Sequence, residues 1–155
     1  MLESLIEDRD FAKLMKRSLQ DAIILLFQKE QNFGILCKIE DVSFYPELPQ
    51  ELMNEFRPLT LFFLAGYTFE TAHIEDDILI FEAGFGTDNF GSVVSVPLLS
   101  ILQVIVDETP IMINIAVEKE EDTLNKPKAI DEKGVKNSMD SFLSNPENSK
   151  FLKKS

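Results

Sequence analysis

The sequence predicts an α+β domain: an N-terminal amphipathic helix followed by a bent, mostly antiparallel sheet, with a flexible C-terminal tail. Three observations carry this prediction. Helically spaced apolar residues are confined to the N-terminal end, two-residue alternations separated by polar turns recur up to Val117, and the composition changes abruptly beyond it. With 155 residues, 45% of them hydrophobic, the chain can fill one core but not two. The expected organisation is a body over 1–117, a linker over 118–149 and a short docking segment over 150–155.

The elements follow in order. Phe11, Leu14, Met15, Leu19, Ala22, Ile23 and Leu26 fall at i, i+3, i+4 spacing, which predicts a helix over residues 3–29. Its last turns, from Ala22 to Phe27, are apolar all the way round, so a single supporting sheet covers only one side. A second copy of the helix across a two-fold axis would cover the other, with Leu19, Ile23, Ile24, Leu26 and Phe27 as the interface; a loop of the same chain is the alternative cover. Asn32 and Gly34 offer the left-handed residue that stops the helix.

Ile35, Cys37 and Ile39 alternate with Leu36, Lys38 and Glu40 as a strand that Pro46 and Pro49 end, and one or two turns of helix or a loop follow over 49–56. Strands are predicted over 59–71, over 77–85 with Leu79, Phe81, Ala83 and Phe85 on one face, and over 91–96. Asp76-Asp77 and Thr87-Asp88-Asn89 supply the turns between them. Pro97 suits the first position of a helix over 98–106, and Ile111, Ile113, Ile115 and Val117 mark a last strand.

The net charge is −12, and residues 1–117 carry all of it, with 7 of the 15 cations and 19 of the 27 anions. Between Ile39 and Val117 the only Lys or Arg is Arg57, so a surface built there sits in a negative potential and favours neutral or basic partners. Binding to a nucleic-acid backbone, which needs clustered cations, is excluded. No apolar run approaches the roughly 20 residues of a membrane span. The acidic opening does not resemble a signal peptide, and Cys37 as the only cysteine permits no disulfide within the chain, so the expected location is cytoplasmic.

Chemistry is thinly represented. One histidine, His73, and one cysteine offer no set of metal ligands, no cofactor is expected, and Gly84-Phe85-Gly86 lacks the third glycine and the following helix of a dinucleotide loop. Asp76 and Asp77 suit a turn better than an acid-base pair. The glycines either let a peptide or other backbone approach the sheet or permit a bulge. An aromatic-rich acidic domain with such a hairpin and an apolar-basic end is predicted to bind other proteins without catalysis.

Asp76-Asp77, Phe81-Glu82-Ala83-Gly84-Phe85-Gly86 and Val94-Ser95-Val96-Pro97-Leu98, in that order, resemble the stringent starvation protein B (SspB) family of ClpXP protease adaptors. Leu48-Pro49, the apolar stretch Leu59-Thr60-Leu61-Phe62-Phe63 and the leading helix are similar too. Thr87 departs from the family's Phe-Gly-Gly, and the hairpin is about two residues longer. The resemblance implies a homodimer joined through the N-terminal helices, an Sm-like sheet with a groove for degradation-tag peptides of substrate proteins, and a tail that docks on the ClpX unfoldase through Lys150, Phe151, Leu152, Lys153 and Lys154. Phe85 and Gly86 carry over to the groove from the motif. Phe63, Ala65 and Tyr67 join them as groove candidates by their expected place beside the glycine hairpin. The rivals are a peptide-binding module of the same fold with another partner, and an enzyme subunit using His73, Asp76 or Asp77.

Overall fold

The computed structural model describes residues 1–117. The predicted linker and the docking residues Lys150, Phe151, Leu152, Lys153 and Lys154 lie outside the described residues. Where one helix was expected over 3–29 there are two, α1 (Leu2–Ile6) and α2 (Arg9–Gln28). The chain breaks because Asp8 is extended and its carboxylate accepts from the backbone N–H of Asp10 at 2.7 Å and of Phe11 at 3.1 Å, satisfying donors at the start of α2. The left-handed residue that closes α2 is Glu30 (φ 54°), not Asn32 or Gly34, and Gln31 N–H returns to the Leu26 carbonyl at 2.9 Å.

After α2 come β1 (Phe33–Lys38), β2 (Ser43–Tyr45), α3 (Gln50–Met53) and β3 (Leu59–Leu64). Then follow α4 (Tyr67–Thr71), β4 (His73–Glu75), β5 (Ile78–Phe85), β6 (Phe90–Pro97), β7 (Ile101–Val106) and β8 (Thr109–Ile113). Two predicted elements change identity. The strand expected over 59–71 ends at Leu64, because Gly66 turns the chain at φ 61° and the Thr68 hydroxyl accepts from Ala65 N–H at 2.9 Å, starting α4. The helix expected over 98–106 is a single 3-10 turn, Leu98–Ser100, followed by β7.

The bent sheet consists of two four-stranded antiparallel sheets. The first runs β3-β1-β7-β8 and the second β2-β6-β5-β4. The chain crosses between them four times, after β1, β2, β3 and β6, and two of these crossings are 3-10 corners, Ile39–Asp41 after β1 and Leu98–Ser100 after β6. Asp76 and Asp77 (φ 53° and 65°) form a two-residue turn where one was expected, but it joins β5 to the short β4 rather than to the strand that starts at Leu59, and Asp107-Glu108 repeat it between β7 and β8.

One continuous core lies between the inner faces of the sheets and α2. Its centre is aromatic. Phe62 of the first sheet approaches Phe44 and Phe81 of the second at ring distances of 6.5 Å and 5.7 Å, and Phe56 stacks on Phe44 at 5.6 Å. At the other end Phe27 and Phe33 meet Phe69 of α4 edge-on.

The helix residues expected at a dimer interface are placed differently. Leu19 and Ile23 have no exposed surface and Leu26 is buried, all within the chain's own core, while Ile24 and Phe27 pack against that core half-buried. Cover for the apolar turns comes from within the chain, where Phe27 meets Phe33 of β1 and Phe69 of α4. Leu14 and Leu25 are the large apolar side chains of α2 that remain exposed.

Candidate functional site

Alternation in the second sheet sends Leu79, Phe81, Ala83 and Phe85 of β5 inward, which leaves Glu82 and Gly84 on its outer face. In the β5–β6 register Glu82 lies opposite Val93 and Gly84 opposite Gly91, and Val93 in turn pairs with Tyr45 of β2. These residues floor an open cleft of about 580 Å³ whose other wall is Ala65, Tyr67 and Thr68, at the start of α4. Pro46, Ala83, Asn89 and Ser92 complete it, and the Ser92 hydroxyl, donating to the Pro46 carbonyl at 2.8 Å, holds the end of β2 against β6.

The paired glycines have different tasks. A Cβ on Gly84 would lie 1.8 Å from Asn89 Oδ1, so Gly84 makes room for the side chain that folds back from the hairpin turn, where Asn89 N–H closes on the Gly86 carbonyl at 3.0 Å. A Cβ on Gly91 would meet nothing within 4 Å. The register through both is regular, so these glycines mark a place of close approach rather than a bulge.

Polar contacts fix the α4 wall. The Thr71 hydroxyl donates to the Tyr67 carbonyl at 3.0 Å and accepts from Glu82 N–H at 2.9 Å, and the Tyr67 phenol donates to Glu82 Oε1 at 2.5 Å. That hydrogen bond first, and the carboxylate's charge second, hold the phenol above its ordinary pKa.

Of the five groove candidates, the structure brings Ala65 and Tyr67 into the cleft. Phe85 is turned inward, its ring 5.6 Å from Phe44 and 6.0 Å from Phe56. Gly86 (φ 75°) faces α3, where a Cβ would sit 2.9 Å from Leu52 Cδ2. Phe63 stands exposed on the outer face of the other sheet. Those three are core, hairpin and far-face residues, because motif position does not reveal which face a strand residue takes. Tyr45, Glu82, Asn89 and Gly91 were missed, although the complement of the apolar face of β5 already contained Glu82 and Gly84.

The outer face of the first sheet is a second feature. Leu59, Leu61 and Phe63 of β3 and Ile111 and Ile113 of β8 are exposed there, with Leu36 and Ile105 half-buried between them. Its apolar breadth is what a protein interface requires.

Two of the residues weighed for catalysis have close local partners. Exposed His73 faces the Thr71 carbonyl at 3.2 Å and Glu75 at 3.6 Å, and Asp77 pairs with Lys16 at 3.8 Å. Among the described residues no group of three or more His, Cys, Asp or Glu side chains is placed to hold a metal ion, and no helix is long and apolar enough to cross a membrane. No protein-family model matches the sequence, and no curated protein matches it.

Proposed function

We propose that this chain is a cytoplasmic, non-catalytic adaptor that holds a degradation-tag peptide of a substrate protein in the second-sheet cleft and tethers it to the ClpXP protease through residues 150–155. The observation that carries the first half is Gly91. A strand position without a side chain, open to solvent and walled by Tyr45 and α4, lets an extended backbone lie against the sheet while the tyrosines grip its side chains. The second half rests on the motif resemblance and on the composition after Val117. A linker of about 31 residues spans roughly 30 Å and makes the second contact intramolecular at an effective concentration of order mM, so neither contact has to be tight.

A homodimer belongs to the same proposal and doubles the tethers. With Leu19, Ile23 and Leu26 committed to the core, the outer face of the first sheet is the broad apolar surface open to a second copy.

The test uses fluorescent tag peptides and a tagged reporter with purified ClpXP. Removing residues 150–155 leaves peptide binding intact and abolishes accelerated degradation, whereas Gly91→Leu abolishes both. Acceleration that survives the deletion refutes the tether, and peptide binding unchanged by Gly91→Leu refutes the cleft.

A further inference from the structure

We propose that the peptide taken by this cleft is cationic: a lysine or arginine side chain enters beside the two tyrosines and pairs with Glu82, with small or apolar residues on either side of it. This rests on the cleft being the peptide site and names the class of tag it selects. Glu82 is the one charged side chain among the residues that line the cleft. Among the described residues no cation answers it; its partner is the Tyr67 phenol, which occupies one carboxylate oxygen and leaves the other for a ligand.

The carboxylate is held as well as charged. Thr71 fixes the Glu82 backbone and the Tyr67 carbonyl together, so the acid and the phenol stand at a set place before any ligand arrives. Tyr45 and Tyr67 are both largely exposed, and their ring faces attract a cation that approaches the acid. Beyond the pair, Ala65, Val93 and Pro46 offer only small or apolar contacts. The long-range field acts in the same sense, since Arg57 is the only Lys or Arg between Ile39 and Val117.

The experiment pans a randomised eight-residue peptide library against the full chain, then measures a selected peptide and its lysine-to-norleucine counterpart by fluorescence anisotropy. The expected result is enrichment of Lys or Arg at one position. Norleucine then weakens binding about three- to fivefold at low salt, and the difference shrinks as salt rises. Glu82→Gln, which still accepts from Tyr67, removes the lysine preference, and Glu82→Lys reverses it towards a peptide bearing glutamate. Glu55→Gln, which removes the same negative charge at an exposed position outside the cleft, leaves the preference in place. Enrichment of peptides without a cation overturns this inference while leaving the cleft as a peptide site, as does an equal loss in Glu55→Gln. A library from which nothing is selected overturns both.

Discussion

The Ser100 hydroxyl donates to Asp41 Oδ2 at 2.7 Å, joining residues 59 positions apart. Each sits in one of the two 3-10 corners at which the chain leaves one sheet for the other, so a single hydrogen bond ties two of the four crossings between the sheets. Ser100→Ala leaves a half-buried carboxylate short of a donor and lowers stability by about 1–2 kcal/mol, read as a shifted urea midpoint with an unchanged slope. Peptide binding at the cleft, built on other residues, stays the same.

Asn114 is the buried polar residue that fastens the end of the body. Its side chain donates to the carbonyls of Leu99 and Ile101 at 3.2 Å and 3.0 Å and accepts from Ala116 N–H at 2.8 Å. Asn114→Ala leaves those groups unpaired and costs about 2–3 kcal/mol. Amide exchange quickens at Ala116 and Val117 well before it does in β5 and β6.

Alanine at the two cleft glycines has opposite consequences. Gly84→Ala drives Asn89 off its seat and lowers the melting temperature, and the added change Asn89→Gly restores it, since that position already sits at φ 52°. Gly91→Ala meets no atom and leaves the melting temperature unchanged or slightly raised, while its methyl group weakens peptide binding.

Burial first, and the nearby charge of Asp41 second, push the Cys37 thiol from 9.0 up to about 12. A thiol-modifying reagent at neutral pH therefore reacts only as fast as the fold opens. Because the folded chain keeps this proton where the unfolded chain loses it, the thiol lowers stability progressively as pH rises from about 9 to about 12, and below that window it has no effect. Denaturation midpoints between pH 8 and pH 10.5 check the sign, with Cys37→Ala as the variant that lacks the slope.

Leu61→Asp combined with Ile113→Asp puts charges on the outer face of the first sheet without touching the core. The sedimentation mass of the full chain falls to that of one copy and the melting temperature of the monomer is retained. An unchanged mass removes this face from the dimer proposal.

The order of helix before antiparallel strands was legible in the sequence, and so was the turn before β5, because Asp76-Asp77 offers the two left-handed positions that such a turn needs, whereas the short β4 on its other side was not. Residues 101–106 were not legible, for an identifiable reason. Leu102 is an extra residue in β7 where it pairs with β1, so the buried Ile101 and Val104 stand three apart, the spacing of a helix. The last strand misleads in the opposite way. Ile111 and Ile113 alternate well, but they are the outward set, and the chain buries Asn114 and Ala116 instead. At the cleft, the motif pointed to the hairpin that borders it but to that hairpin's inward face, since Phe85 and Glu82 belong to opposite sides of one strand.

Val117 N–H donates to the Ile6 carbonyl at 3.0 Å, so the last described residue is tied to α1 and lies beyond β8, on the sheet that does not bear the cleft. Tension drawn through residues 118 onward would load this tie, the Asn114 clamp and the β7–β8 ladder before it reached β5 or β6. In the proposed adaptor, gripping a cargo and bearing a pull would thus fall to separate halves of the molecule, and an edge strand could strain without loosening the grip.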